Sequence, residues 1–193
     1  MTERAWLAHG LRLARSLLTY YLVARISTCL WFDNQAEAAA AFYVSLFKNS
    51  KILQTTHYGA AGPGPNGSVM TVRFELDGEE FIALNGGPVV RFNEAVSFVV
   101  KCDSQKELDG LWQKLTDGGS EVQCGWLKDK FGVSWQVVPA TLDDLVNDAD
   151  PEARDRVMKT LLPMGKLEIA ELERARGSSP APAKPAKSSK KKR

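Results

Sequence analysis

A chain of 193 residues, 44% hydrophobic and 25% charged, has the balance of an ordinary globular protein and enough length to bury a core, so one domain is the default. Its three cysteines, at positions 29, 102 and 124, are odd in number and fit neither a disulfide framework nor a CxxC metal spacing. That excludes a disulfide-stapled secreted scaffold and points to free thiols and a cytoplasmic location. The net charge of +2 is unevenly placed: six positive charges fall between Lys184 and Arg193, and a net three lie in residues 1–25, leaving the stretch between at about −7. A folded body of that sign is a poor nucleic-acid surface.

Residues 1–25 mix arginines with a short apolar run, Leu17 to Ala24, too short to span a bilayer and followed by no small-x-small cleavage site. They are expected to be an extension, a loosely attached helix or the product of a mis-assigned start. No membrane partner is expected.

From Ser27 onward the chain repeats itself. Ser27-Thr-Cys-Leu-Trp-Phe-Asp33-Asn-Gln35-Ala-Glu37 aligns without a gap on Ser97-Phe-Val-Val-Lys-Cys-Asp103-Ser-Gln105-Lys-Glu107, an offset of seventy residues. Each copy reads as a strand running into a helix. Ser104 with Glu107, and Asn34 with Glu37, have capping-box spacing, so helices are predicted over about 34–47 and 104–117. Leu108, Leu111, Trp112 and Leu115 recur at helical spacing, Phe42 and Leu46 do so in the first copy, and Gly118-Gly119 stops the second helix. After each helix come three predicted strands, 51–58, 69–76 and 80–85 in the first half, and about 121–123, 126–128 and 133–138 in the second. Asp77-Gly78 is a hairpin signal, and Asp129-Lys-Phe-Gly132 plays the equivalent part later.

The loop from Gly59 to Gly67 has the glycines of a phosphate- or methyl-donor-binding loop. It also has two prolines, and a strand follows it instead of the helix whose N-terminus would receive a phosphate. Beyond residue 138 a helical segment is predicted over 139–176. Thr141 and Asp144 begin a short helix, Asp150-Pro151 is a cap with proline at the first helical position, Pro163 ends the next helix, and Gly165 precedes a last one through about Arg174. Val157, Leu161 and Leu162, with Leu167, Ile169 and Leu172, form apolar stripes that must cover a sheet or a partner subunit. Residues 177–193, GSSPAPAKPAKSSKKKR, have no apolar side chain larger than alanine and are expected to be a disordered basic tail, whose charge would support only weak, non-specific contact with nucleic acid.

Ile26-Ser-Thr-Cys-Leu-Trp-Phe-Asp33, the alanine-rich helix with Phe42-Tyr43, Ala83-Leu-Asn-Gly-Gly87 and Cys124-Gly-Trp-Leu-Lys-Asp-Lys-Phe-Gly-Val-Ser-Trp-Gln-Val-Val-Pro139 resemble the PhnB-like branch of the vicinal oxygen chelate superfamily, which includes glyoxalases, bleomycin-resistance proteins and dioxygenases. The resemblance spans about residues 26–175. It implies an α+β fold of tandem βαβββ units over 26–138, a ligand cavity, and assembly as a homodimer. Many members of the branch carry the label 3-demethylubiquinone-9 3-methyltransferase. No strand, glycine loop, helix and acidic residue follow one another here as an S-adenosylmethionine site requires.

Metal-dependent members of the superfamily carry His or Glu ligands on the first and last strands of each unit, and the resemblance puts those positions near Ser27, Asn85, Ser97 and Gln136. None of the four is His, Glu or Asp, and hydroxyls and carboxamides alone are too weak to hold a divalent metal. No metal and no cofactor is therefore expected. Strand alternation, with Leu30 and Phe32 under the helix, places Ser27, Cys29 and Trp31 on the cavity side. With Asn85, Ser97, Trp126, Ser134 and Gln136 they make a cavity of uncharged polar groups and aromatics suited to a small, partly aromatic molecule. Trp112 and Trp135 are assigned to the core. Lys128 and Arg73 are candidate anion contacts or solvated charges, and Cys29 as a nucleophile would need His57 as its base. The readings that follow are a metal-independent binding module, an enzyme (isomerase, lyase or detoxifying) with a lost or rebuilt metal site, or a homodimeric interaction protein.

Overall fold

The computed structural model describes residues 26–177. The extension 1–25 and the basic tail after Gly177 lie outside the described residues, as do the expectations attached to them.

The predicted repeat is built as two successive βαβββ units. The first consists of β1 (Thr28–Phe32), α1 (Ala36–Leu46), β2 (Lys51–His57), β3 (Val69–Leu76) and β4 (Glu79–Asn85). The second consists of β5 (Phe98–Cys102), α2 (Gln105–Thr116), β6 (Ser120–Glu121), β7 (Trp126–Lys128) and β8 (Ser134–Pro139). Each unit is one four-stranded sheet, ordered β1-β4-β3-β2 and β5-β8-β7-β6. In both, the first strand runs parallel to the last while the others pair antiparallel. The β3–β4 hairpin turns at Asp77 (φ 48°) and Gly78 (φ 86°), the pair of positive φ angles that a type I′ turn demands and Asp-Gly tolerates.

The two helices begin differently, against the sequence expectation. In α2 the capping box forms: Ser104 Oγ accepts from the Glu107 amide at 3.3 Å, and the Glu107 carboxylate accepts from the Asp103 amide at 3.0 Å. In α1 Asn34 does not cap. Gln35 is the cap residue and gives no side-chain bond, while the Ala36 amide donates to Asn85 Oδ1 at 2.8 Å. A side chain from the end of β4 thus does for α1 what a local serine does for α2.

Alternation decides which sheet face meets the helices. Leu30, Phe32, Val72, Phe74 and Ala83 of the first sheet are buried under α1, and Cys102, Leu127, Trp135 and Val137 of the second belong to the same core as Leu108, Leu111, Trp112 and Leu115 of α2. These helix-bearing sides face each other. The Tyr43 ring of α1 lies 6.3 Å from Phe74 of the first sheet and 5.3 Å from Trp135 of the second. Phe81 meets Phe98 edge-on at 5.3 Å, and Phe47 stacks on Trp135 at 5.7 Å. Each such aromatic pair adds roughly 1 kcal/mol beyond the area it buries. The first helix therefore lies between the first sheet and Trp135 of the second, and the opposite faces of the two sheets point outward. Trp112 and Trp135, at 4% and 2% exposure, are core as the sequence indicates.

One polar group sits in this seam. Asp129, 3% exposed, accepts from Tyr43 Oη (2.8 Å), Trp135 Nε1 (2.9 Å) and the amides of Phe131 (2.8 Å) and Val133 (3.0 Å). A buried carboxylate is tolerable when its lone pairs are met this fully. The Asp129–Gly132 turn thereby joins the two units as well as closing the second hairpin.

Beyond β8 come α3 (Leu142–Val146), α4 (Pro151–Leu161) and α5 (Ile169–Gly177). Asp150 caps α4 by accepting from the Glu152 amide at 3.0 Å, with Pro151 in the first position as read from the sequence. Val157, Leu161, Leu167 and Leu172 join the core, but Leu162, read as part of the stripe, is 54% exposed because it lies just past the last helical residue. The segment docks by backbone: the amides of Cys124 and Gly125 donate to the carbonyls of Met164 (2.6 Å) and Gly165 (2.9 Å). No helix among the described residues is long and apolar enough to cross a membrane.

Candidate functional site

The residues singled out from the sequence are distributed over two outward sheet faces. On the first, Cys29 and Trp31 of β1 stand beside Ile82 and Leu84 of β4. Trp31 is fixed from two directions: its Nε1 donates to the Gly87 carbonyl at 2.9 Å, and its ring covers Gly86 so closely that a Cβ there would come within 2.2 Å. On the second face Val99, Gln136 and Trp126 are lateral neighbours, and Gln136 Nε2 donates to Ser97 Oγ at 2.9 Å. Ser134 precedes them on the same face, beside Lys128. Ser27 lies just before β1 and is exposed.

Asn85 departs from its expected place. It shares the helix-side face with Ala83, and its amide is committed to the start of α1 and, through Nδ2, to the Val69 carbonyl at 3.1 Å. Counting from Trp31 alone puts Asn85 toward the cavity, but β1 and β4 are parallel partners in which Phe32, a buried residue, is the one registered opposite Asn85. Asn85 instead lines a cavity of about 660 Å³ at the end of the first sheet, together with Asp33, Glu37, His57 and Tyr58. The glycine loop forms its rim. Gly62 and Gly64 pack against the Tyr58 ring, where a Cβ would come within 2.7 and 2.3 Å, and Tyr58 Oη donates to the Asn85 carbonyl at 2.6 Å. The loop leads into β3, and carboxylates stand where a phosphate would need cations, so it is a wrapping for Tyr58.

The charges are largely spoken for. Arg73 forms a fork with Glu80 (2.9 Å) and reaches Gln54, and Lys128 pairs with Glu94. Neither is a free anion contact. Arg91, in the linker between the units, has no ion-pair or hydrogen-bond partner among the described residues, and no pattern in the sequence marked it. Cys29 and His57 do not form a nucleophile–base pair. β1 and β2 are opposite edges of their sheet, three strand spacings or about 14 Å apart. Partial burial pushes the Cys29 thiol above its ordinary value, away from thiolate. Cys102 is pushed up to about 12 by burial, then by the charges of Glu107 and Asp103.

The four positions aligned with the superfamily's ligands do not fit a metal. Gln136 and Ser97 are bonded to each other, Asn85 caps a helix, Ser27 stands apart, and none offers an anion or imidazole. Among the described residues no group of three or more His, Cys, Asp or Glu is placed to hold one. The structure does bring Cys29 and Ser134, from different sheets, to one cleft of about 240 Å³ where the two units meet.

Residues 24–138 match the family model described as 3-demethylubiquinone-9 3-methyltransferase. The PhnB protein of Bacillus cereus, a candidate 3-demethylubiquinone-9 3-methyltransferase by its description, is 35% identical, with 60% of this chain and 99% of that one covered at a TM-score of 0.55. Protein PA1353 from Pseudomonas aeruginosa, 21% identical over 61% of this chain and 97% of its own with a TM-score of 0.50, shares the fold. The fosfomycin resistance protein FosX of Listeria monocytogenes is more distant, 12% identical over 64% of this chain and 96% of its own with a TM-score of 0.45. No curated protein matches the chain. The matched span is the two βαβββ units themselves, and on it the chain belongs to the family described as 3-demethylubiquinone-9 3-methyltransferase, in the PhnB-like branch of the vicinal oxygen chelate superfamily.

Proposed function

We propose that this protein captures a small, partly aromatic molecule without a metal, in a cavity that two copies of the chain complete. The observation that carries this reading is the outward direction of both sheet faces. Trp31 and Trp126 are half-buried on separate faces, and Val99, on the edge strand β5 of the second, is 53% exposed. A single chain cannot fold one face over the other, because the opposite faces are joined through α1 and the Phe81–Phe98 contact. A second copy can, by laying its second face on the first face of its partner, and twofold symmetry then makes two equal cavities. Tryptophans and uncharged polar groups lining such a cavity suit stacking and orientation of a ligand better than proton transfer, since the Cys29 thiol has no base and the candidate cations are paired. The methyltransferase label of the family gains no support from the glycine loop, which leads into a strand.

Light scattering on the full chain is expected to give a dimer, and a thermal-shift screen of metabolites and antibiotics to give ligands that are recovered unchanged. Val99→Asp, on an exposed outward position, should leave the fold intact, yield monomer and abolish ligand binding. A monomeric wild type that binds with full affinity overturns the reading.

A further inference from the structure

We propose that Gly86 and Gly87 hold Trp31 as a fixed stacking platform, and that the groove beside it takes a flat, uncharged ring. This deepens the small-molecule reading above and rests on it. One of the two glycines is present without a backbone reason. Gly87 has a φ of 85°, where any side chain would be strained, but Gly86 lies outside that region. What a Cβ on Gly86 would meet is the Trp31 ring, at 2.2 Å from both Cε2 and Cζ2. The glycine is therefore a seat for the indole. The carbonyl of the next residue, Gly87, accepts from Trp31 Nε1 at 2.9 Å, so one residue supports the ring and its neighbour fixes the orientation.

A tryptophan whose only donor is engaged offers a ligand its π surface and no hydrogen bond. Trp112 and Trp135 also have their donors engaged, by Glu121 and Asp129, but at 4% and 2% exposure they have no surface to offer. Trp31 is half-buried, and it lines an open groove of about 320 Å³ with Pro88, Val90 and Phe92 of the linker between the units. Val90 is 51% exposed, so this wall is apolar and uncovered among the described residues. The volume is well above the roughly 150 Å³ that accommodates benzene in an apolar cavity. Asp33 and Arg91 line the groove too, one charge of each sign, so the lining selects no net charge and leaves shape and stacking to decide. A ring held in place before the ligand arrives loses no freedom on binding, which favours affinity.

The probes are benzamide and cyclohexanecarboxamide, which carry the same uncharged group on a flat and a puckered ring. Each is titrated into the isotope-labelled full-length protein and followed by the indole N–H resonances, that of Trp31 being the one missing from Trp31→Leu. Benzamide is expected to move the Trp31 resonance at millimolar concentration and to bind about threefold to tenfold more tightly than cyclohexanecarboxamide, the worth of an aromatic pair. Trp31→Leu should bring the two probes to equal affinity. Gly86→Ala should do the same by displacing the ring, while the resonances of Trp112 and Trp135 keep their places and report an intact core. A benzamide preference that survives Trp31→Leu, or a Trp31 resonance that benzamide does not move, overturns the platform. A Gly86→Ala protein that keeps the preference, or that loses the core resonances, overturns the role given to Gly86. The dimer and the ligand screen decide the broader binding reading separately.

Discussion

Asp129 shows how much one residue can carry when every lone pair is used. Its carboxylate accepts two side-chain and two backbone hydrogen bonds in a buried place, and the Tyr43 phenol it holds is itself pushed up by burial and by the Asp129 charge, so the phenol stays protonated. Asp129→Ala leaves four buried donors unmet at about 1 kcal/mol or more each, and an expected loss of about 3 kcal/mol or more would appear in urea unfolding. Tyr43→Phe removes one of the four bonds and should cost less than half as much. The sequence marked Asp129 as the start of a turn and Tyr43 as part of a family pattern. Nothing in local spacing could join residues 86 positions apart. The cysteines separate in the same local terms. Cys102, buried and raised to about 12, should resist alkylation at pH 8 until the protein unfolds, while Cys29 is labelled in the native state; mass spectrometry of the labelled peptides distinguishes them.

Among the elements, the two copies of the strand–helix motif diverge where they look most alike. α2 carries its own cap, so its start was readable from Ser104 and Glu107. α1 borrows Asn85 from β4, a long-range contact that no capping pattern encodes. Asn85→Ala should therefore destabilise the first unit by about 1–2 kcal/mol, and hydrogen exchange should quicken at Ala36 and its neighbours more than in α2. The C-terminal helices hold on partly through charge. Asp109 lies below the ordinary carboxylate value because Lys166 and Gln105 bond to it, and Asp148 because of the Asp150 amide and Arg176. Both folded-state values are depressed, so the stabilisation is present above the unfolded value of about 3.9 and disappears as pH falls through the folded values. Below about pH 4, amide exchange in α5 is expected to quicken before that in β8. Exchange that quickens equally in both would show that these pairs do not hold the segment.

For the molecule as a whole, the architecture was legible because it is written twice. An offset of seventy residues, two Asp-terminated strands, a capping box and an Asp-Gly turn are local signals, and each survived. The grouping of Asn85 with Cys29 and Trp31 in one cavity did not, because alternation counts faces within a strand but cannot say which partner sets its register. The direction in which the faces look was also hidden, since a strand sequence is the same whether helices lie outside a shared cavity or between two sheets. The Tyr43–Trp135 and Phe81–Phe98 contacts make one core of two units. Unfolding followed by tryptophan fluorescence and by circular dichroism should accordingly give one coincident transition; two separated midpoints would mean that the units are independent.

The joining of the two sheets by their helix-side faces has one more consequence. Side chains that hold the fold point inward, and those proposed to meet a ligand, Cys29, Trp31, Val99, Trp126 and Gln136, point the other way from the same strands. A change on the outer side at such positions opens no void in the core. Substitutions at these outward positions are thus expected to change the surface without first costing the fold its shape.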